Sequence, residues 1–235
     1  MFYRTNQFQA VIFDLDGVIT DTAEFHYLAW KQLGKALGIS FNREFNEQLK
    51  GVGRMDSLES ILALDNRQND FTLEEKQVLA TRKNNYYVEL IKKISPNDLL
   101  PGIEELLKQL KTAEFKIGMA SASKNAFAVT NSLKIRDYDH IVDVATVANS
   151  KPHPEVFLKA AEAVGVVPEN CIGIEDAAAG VTAINDAGMF SIAVGVGSGL
   201  NHANLILPST DKLTIDIIEK LGGESMDYNY NFKDV

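Results

Sequence analysis

The stretch AVIFDLDGVITDT, residues 10–22, carries an apolar run straight into two aspartates one residue apart and then a glycine. An apolar run of this kind predicts a buried strand. Residues i and i+2 of a strand face the same side, so Asp14 and Asp16 can point at one ligand while Leu15 points away. Two close carboxylates repel each other, and a divalent cation removes that conflict. The stretch therefore predicts a strand with a chemical site at its carboxyl end.

The composition limits the kinds of protein that this chain can be. The 235 residues suffice for one large domain or two small ones, and 46% of them are hydrophobic, which allows a sizeable core. The single cysteine, Cys171, excludes an internal disulfide framework and fits a reducing cytosol. We find neither a signal peptide nor a run near the roughly 20 apolar residues of a membrane span, so we expect a cytoplasmic protein with no membrane partner.

The charge of the chain bears on its partners. The net charge is −9, and no basic patch is evident, so we expect no nucleic-acid partner. An anionic small substrate remains compatible with this total, because solvent screens charges beyond roughly 8–10 Å and only the local site must be positive.

Short apolar runs that alternate with helical patterns predict the fold class. Continuous apolar strands separated by helices are typical of a parallel, doubly wound (Rossmann-like) α/β sheet. The predicted strands are residues 10–13, 115–120, 140–147, 171–174 and 190–196, and the predicted helices between them are residues 103–111, 154–165 and 177–188.

The segment between the first two predicted strands breaks this alternation. It contains helical patterns and no convincing strand. The clearest of these patterns are residues 23–38, 55–64 and 73–94. We therefore predict a helical cap domain over residues 21–95, inserted into an α/β catalytic core that comprises residues 1–20 and 96–235. The tail after about Gly222 carries no motif that we can interpret.

Polar side chains follow four of the predicted strands. In open α/β sheets ligands bind beyond the carboxyl ends of the strands, so these side chains should meet at one edge of the sheet. They are Asp14 and Asp16, then Ser121, Ser123, Lys124 and Asn125, then Lys151, and last Glu175 and Asp176. Their carboxylates form a hard, oxygen-rich set that suits Mg²⁺. A carboxylate beside a metal and a lysine suits phosphoryl transfer, with a second carboxyl as general acid and base.

Each of these motifs, taken singly, has an ordinary structural explanation. The Asp–x–Asp pair can be a solvated turn, and SASKN can be a helix N-cap. SKP can be a turn, and IEDAAAG can be a strand-to-helix junction with acids at the helix dipole. Their joint occurrence, in this order and on successive strand ends, favours the chemical interpretation.

At these residues the sequence resembles the haloacid dehalogenase superfamily of phosphotransferases. DLDGVITDT is similar to the first motif of that superfamily, ASASKN to the second, SKP to the third and GIEDAAAG to the fourth. The likeness covers nearly the whole chain. The helical insert, with FNEQLKGVGR, DSL and RKNNYYV, narrows the resemblance to the sugar-phosphate mutases of the superfamily.

The resemblance implies roles for the core residues. Asp14 would be the nucleophile, and Asp16 the general acid and base for the sugar hydroxyl as well as a metal ligand through its backbone carbonyl. Asp176 would bind Mg²⁺ together with Asp14, with Glu175 as an acidic partner. Ser121 and Lys151 would bind the transferring phosphoryl group, and Ser123, Lys124 and Asn125 would bind the other phosphate. Ala122 would also contact the substrate.

The resemblance also implies roles within the cap. The cap residues that would meet the distal phosphate, meet the sugar or assist closure are His26, Lys50, Gly51, Val52, Arg54, Ser57 and Lys83, and Thr22 falls at the hinge. The planar fork of Arg54 suits phosphate. Ordinary explanations stay open here too, since the KGVGR loop can be solvated, His26 can pack on a helix surface and Lys83 can lie on a solvated face.

The implied reaction is the Mg²⁺-dependent interconversion of beta-D-glucose 1-phosphate and D-glucose 6-phosphate. It would pass through an aspartyl-phosphate and a beta-glucose 1,6-bisphosphate intermediate, in a monomer whose partners are sugar phosphates. A phosphatase of the same superfamily, in which water completes the reaction, is the nearest alternative. Asp16 and the acidic pair at 175–176 speak against a dehalogenase, because attack on carbon needs neither Mg²⁺ nor that acid. The presence of every motif acid speaks against a non-catalytic binding module.

Overall fold

A computed structural model describes residues 7–196 and 199–222. A six-stranded parallel sheet runs through its centre in the order β3-β2-β1-β4-β5-β6. The strands are β1 (Ala10–Phe13), β2 (Lys116–Met119), β3 (His140–Ile141), β4 (Cys171–Glu175), β5 (Phe190–Val194) and β6 (Leu205–Leu207). The predicted doubly wound α/β fold is confirmed. The C-terminal tail that the sequence left without interpretation lies outside the described residues from 223 onward.

Helices cover both faces of the sheet because successive side chains of its strands point to opposite sides. Val11 and Phe13 of β1 belong to one apolar cluster, and Ala10 and Ile12 belong to another. The helices are α1 (Ala23–Leu37), α2 (Arg43–Glu47), α3 (Arg54–Ala63), α4 (Leu73–Ile91), α5 (Ile103–Thr112), α6 (Ala126–Ser132), α7 (Glu155–Val164), α8 (Ala178–Asp186) and α9 (Ile215–Leu221). Helices α5, α6 and α9 pack on the first face, and α7 and α8 pack on the second. No described helix is long and apolar enough to cross a membrane.

The register of the three central strands brings their carboxyl ends together. Phe13, the last residue of β1, pairs with Met119 of β2 on one side and with Ile174 of β4 on the other. The residues that follow these positions therefore emerge side by side at one edge of the sheet. This alignment places Asp14 between the loop after β2 and the acidic end of β4.

Helices α1 to α4 lie between β1 and β2 and have an apolar cluster of their own. Trp30, Leu33, Leu58 and Leu62 are among its buried members. Helix α1 ends at Gly38, whose left-handed φ of +78° lets its N–H reach the carbonyls of the last turn. The far end of α4 instead joins the main core through Tyr87 and Ile91. The separate cluster favours the predicted cap domain, whose boundaries stay a prediction.

The predicted strand at residues 140–147 is wrong beyond its first two residues. The side chain of Asp143 accepts a hydrogen bond from the N–H of Ala145 at 2.9 Å and caps a 3₁₀ turn over Val144–Thr146. A local side-chain acceptor of this kind offers the backbone an alternative to strand pairing. The sequence analysis also missed four short elements, namely β6, α2, α6 and α9. Each spans at most seven residues, which is too short for a periodic pattern to stand out.

Candidate active site

The predicted nucleophile and the predicted phosphate-binding lysine form a buried ion pair. Lys151 Nζ donates to Asp14 Oδ1 at 2.6 Å and lies 3.6 Å from Glu175 Oε1. Burial disfavours the charge on Lys151, but the carboxylates of Asp14 and Glu175 outweigh it and raise the pKa of the lysine. Burial also raises the pKa of Asp14, and Lys151 opposes that rise. The lysine therefore holds the aspartate in place and supplies a fixed positive charge beside it.

Three carboxylates at the ends of β1 and β4 are arranged as a cation site. Asp14, Glu175 and Asp176 each offer an oxygen, and these atoms lie within 4.8 Å of one another. Both carboxylate oxygens of Glu175 are buried without a hydrogen-bond partner among the described residues. Burial, with the neighbouring Asp14, raises the pKa of Glu175 well above its ordinary value and that of Asp176 to about 7. A hard divalent cation would relieve this crowding, so the residues fit Mg²⁺.

Gly17 makes room for this acidic cluster. Its φ of +79° is in the left-handed region, and a Cβ built there would overlap the carboxylate of Asp176. Any residue other than glycine would therefore displace one of the carboxylates.

The side chain of Asp16 faces the helical insert rather than the three clustered carboxylates. Thr22 Oγ1 donates to Asp16 Oδ1, and Tyr87 Oη donates to Thr22 Oγ1 at 3.1 Å. His26 Nε2 lies 3.6 Å from Asp16 Oδ2. Burial opposes ionisation of Asp16, but His26 and Thr22 outweigh it and hold its pKa below the ordinary value. Asp16 is thus prepared to accept a proton, while metal binding by its carbonyl stays a prediction.

Lys83 is buried, so its interpretation as a residue on a solvated face is wrong. Only 2% of the residue is exposed. Its Nζ lies 2.9 Å from His26 Nδ1 and 4.6 Å from the centre of the Trp30 ring. Burial, helped by the charge of Arg54, lowers the pKa of Lys83 to about 7. The same burial lowers the pKa of His26.

A second polar cluster joins the helical insert to the core. Arg54 Nη2 donates to Asn84 Oδ1 at 2.8 Å, and Asn125 Nδ2 donates to the same oxygen at 2.9 Å. Burial lowers the pKa of Arg54. The sequence analysis assigned roles to Arg54 and Asn125 but missed Asn84. The one sequence feature that could have indicated a role for Asn84 is its position directly after Lys83 in RKNNYYV.

The loop after β2 satisfies its own backbone with serine side chains. Ser121 Oγ accepts from the N–H of Ser123 at 3.1 Å, and Ser123 Oγ accepts from the N–H of Asn125 at 3.2 Å. Asn125, the N-cap residue of α6, makes no side-chain cap hydrogen bond, so these bonds brace the loop before the helix and the N-cap interpretation of SASKN is wrong. The two serines also line the cavity at the sheet edge, where their side chains can meet a ligand.

One cavity brings most of the predicted site residues together. The predicted residues that line it are Asp14, Asp16, His26, Lys50, Gly51, Val52, Arg54, Ser57, Lys83, Ser121, Ala122, Ser123 and Asp176. Thr22, Lys151 and Glu175 lie next to it through their contacts with Asp14 and Asp16. Lys124 lines a neighbouring cavity instead. The lining residues that the sequence analysis did not assign to the site are Gly17, Ala23, Trp30, Asn46 and Leu49.

The insert closes over the sheet edge through the KGVGR loop. Lys50 Nζ lies 2.9 Å from Glu47 Oε2 and 3.6 Å from Asp176 Oδ2. Gly51 is so close to the core that a Cβ on it would lie 3.4 Å from Glu175 Oε1. Side chains of the insert and of the core thus face one shared site.

This fold and this set of motifs define a class of protein. The chain belongs to the haloacid dehalogenase-like hydrolase family, whose family model (Hydrolase: haloacid dehalogenase-like hydrolase) matches residues 8–188. The resemblance that the four motifs carried is confirmed.

Particular relatives narrow the comparison. The chain is 50% identical over 213 residues to the beta-phosphoglucomutase of Bacillus subtilis, a match that covers 90% of this chain and 94% of the relative. A crystal structure of a beta-phosphoglucomutase from Clostridium difficile matches with a TM-score of 0.89 and 52% identity, covering 91% of this chain and 96% of that one. A phosphorylated carbohydrates phosphatase of Thermotoga maritima is 29% identical, covering 85% of this chain and 90% of the relative.

Proposed function

We propose that the protein is a Mg²⁺-dependent beta-phosphoglucomutase that interconverts beta-D-glucose 1-phosphate and D-glucose 6-phosphate through glucose 1,6-bisphosphate. The observation that carries this proposal is a single cavity lined by Asp14 and Ser121 of the core and by Arg54 of the insert, each of which has further polar side chains beside it. One group surrounds Asp14 with Lys151 and Ser121, and the other forms where Arg54 meets Asn125 through Asn84. An intermediate with two phosphates needs both groups at once.

The reaction requires a nucleophile and a general acid and base close together, and Asp14 and Asp16 after strand β1 would take these two roles. In the first half-reaction the sugar 6-hydroxyl attacks the phosphoryl group on Asp14, the bond between Asp14 and phosphorus breaks, and Asp16 takes the hydroxyl proton. The bisphosphate then turns around. Asp14 attacks the 1-phosphoryl group, the bond to the sugar oxygen breaks, and Asp16 returns the proton to that oxygen. The lowered pKa of Asp16 suits the first of these roles.

The fixed charges of the site support the transfer. Lys151 would balance the negative charge of the phosphoryl group as it moves to and from Asp14. Mg²⁺ held by Asp14, Asp176 and the nearby Glu175 would supply further positive charge to that group. Closure of the insert through Lys50 and the KGVGR loop would exclude water, which otherwise completes the reaction as a phosphatase does.

The proposal is tested by product analysis. Purified protein with Mg²⁺, beta-glucose 1-phosphate and a trace of glucose 1,6-bisphosphate should form glucose 6-phosphate with little inorganic phosphate. The bisphosphate should stimulate the conversion strongly. Rapid release of phosphate from many sugar phosphates, without stimulation by the bisphosphate, would instead favour a phosphatase. The similarity to the Thermotoga maritima phosphatase makes this the main alternative.

Arg54 provides a sharper test of the second phosphate group. Arg54→Ala should impair isomerisation far more than the slow hydrolysis of acetyl phosphate, which is too short to reach the insert. Arg82→Ala, on the exposed side of α4, is the matched control and should leave both activities unchanged. Equal loss of both activities in Arg54→Ala would show that the arginine supports the shared chemistry or the fold instead.

We propose further that the enzyme is a cytoplasmic monomer whose partners are sugar phosphates rather than nucleic acid or membranes. The acidic net charge of −9 and the lack of a basic patch in the sequence support the absence of a nucleic-acid partner. Size-exclusion chromatography with light scattering would test the monomer, since a dimer would elute at about twice the chain mass of 25.9 kDa.

A further inference from the structure

Asn46 is a buried side chain of the cavity that the proposed reaction does not use. Only 6% of the residue is exposed, and its Oδ1 has no hydrogen-bond partner among the described residues. The residue nevertheless lines the same cavity as Asp14 and Asp16. A buried carbonyl oxygen without a hydrogen-bond partner costs stability, so its presence in a cavity points to a ligand that satisfies it.

The short helix α2 holds Asn46 in a fixed place. The side chain of Asn42 accepts from the N–H of Phe45 at 2.9 Å and caps the helix. Phe45 packs against the apolar cluster of the insert, and Arg43 pairs with Glu24 of α1 at 2.6 Å. These contacts fix the backbone that carries Asn46 beside the cavity.

The chemistry of the amide selects the kind of group that can satisfy it. A carboxamide has one accepting oxygen and one donating NH₂ group. A phosphate oxygen only accepts, so it cannot satisfy Oδ1. A hydroxyl both donates and accepts, so it can satisfy either end of the amide. The ring hydroxyls of a sugar phosphate are the substrate groups with this property.

We infer that Asn46 determines specificity by hydrogen bonding to one ring hydroxyl of the bound sugar phosphate. This inference rests on the proposed function, because it takes the ligand of the cavity to be a hexose phosphate. It assigns the amide to sugar recognition and leaves phosphate recognition to the cationic side chains. The amide oxygen is then a recognition group that is satisfied only when the correct sugar is bound.

The test pairs one side chain with one substrate hydroxyl at a time. The kcat/KM of the unaltered protein and of Asn46→Ala is measured with beta-glucose 1-phosphate and with its 2-deoxy, 3-deoxy and 4-deoxy analogues. We expect Asn46→Ala to lose about 10–100-fold with the parent sugar, the range for an unsatisfied buried hydrogen-bonding group. For one analogue the two proteins should differ little, because the hydroxyl that Asn46 contacts is already absent. The other two analogues should show the full loss.

Three controls separate recognition from folding. Hydrolysis of acetyl phosphate, which has no sugar hydroxyl, should be unchanged in Asn46→Ala. The melting temperature without sugar should not fall, since the variant removes a buried amide oxygen that lacks a partner among the described residues. Asn85→Ala, an exposed asparagine of α4, should behave like the unaltered protein with every analogue. Asn46→Ser, which keeps a shorter polar group, should reproduce the pattern even where the alanine variant folds poorly.

The outcomes are distinguishable. If the unaltered protein does not convert beta-glucose 1-phosphate, the proposed function is wrong. If it does, and Asn46→Ala and Asn46→Ser lose the same factor with all four sugars, Asn46 contacts no ring hydroxyl and the inference is overturned. A fall in melting temperature accompanied by loss of acetyl phosphate hydrolysis in both variants would show a structural role and overturn it as well.

Discussion

Replacing Lys83 by methionine should stabilise the ligand-free protein while it impairs isomerisation. The ammonium group is almost fully buried, and its hydrogen-bonding neighbour is the ring of His26 at 2.9 Å, not a carboxylate. A charge buried in this way costs free energy of folding. Methionine has a similar length without the charge, and the rings of Trp30 and Tyr87 offer it apolar and aromatic contacts. The burial of this charge is therefore expected to lower the stability of the ligand-free protein.

The lowered pKa sets the size of this effect. A fall from 10.5 to about 7 corresponds to about 5 kcal/mol, at about 1.4 kcal/mol for each pKa unit. The loss of the hydrogen bond to His26 removes about 1 kcal/mol of that gain, and opening of the insert can hydrate the ammonium. We therefore expect Lys83→Met to raise the free energy of unfolding by about 1–4 kcal/mol near neutral pH.

The pH dependence follows from the direction of the shift. Below about pH 7 the lysine is charged in both the folded and the unfolded protein, so the full penalty is present. Between about pH 7 and pH 10.5 the unfolded chain binds more protons at Lys83 than the folded protein does. The contribution of Lys83 to stability therefore rises with pH in this range. The advantage of Lys83→Met should accordingly shrink across that window.

Urea unfolding without Mg²⁺ or sugar phosphate, at about pH 6.5 and about pH 9.5, measures this difference directly. Lys92→Met, at the exposed end of α4, is the matched control, and surface changes of this kind usually stay within about 0.5 kcal/mol. A Lys83→Met protein that is less stable than the parent at about pH 6.5, or a difference that does not change with pH, would refute the reasoning.

Three further predictions concern the sheet edge. Asp14→Asn should abolish phosphoryl transfer, because an amide is not a nucleophile, and no phosphorylated protein should form with acetyl phosphate; detectable phosphoprotein would assign the acceptor elsewhere. Asp16→Asn should lower kcat by about 10²–10⁴-fold at neutral pH, whereas near-normal turnover would remove Asp16 from acid–base catalysis. Gly17→Ala should weaken Mg²⁺ binding in calorimetry, because its φ of +79° and the adjacent Asp176 leave no space for a Cβ; unchanged affinity would place the cation away from Asp176.

The sequence by itself determined the elements whose signal lies in consecutive residues. Strand β1 is apolar at every position because helices cover both faces of the sheet, and such a run is recognisable without a structure. The leucines of α5 repeat at helical spacing, and the structure buries them. The acids after β1 and β4 were predicted to meet because parallel strands present their carboxyl ends at one edge, and the pairing of Phe13 with Ile174 confirms that geometry.

Only the tertiary structure decided features that depend on how the insert docks. Nothing in RKNNYYV distinguishes a buried Lys83 from an exposed one, because its burial comes from α1 and the rings around it. Asn84 meets Arg54 across 30 residues and Asn125 across 41, so its bridging role appears only once α4 lies against the core. The place of Asn46 in the cavity wall likewise could not be predicted from the sequence. Local sequence encodes periodicity, whereas burial and hydrogen-bond satisfaction belong to pairs of residues that the folded chain brings together.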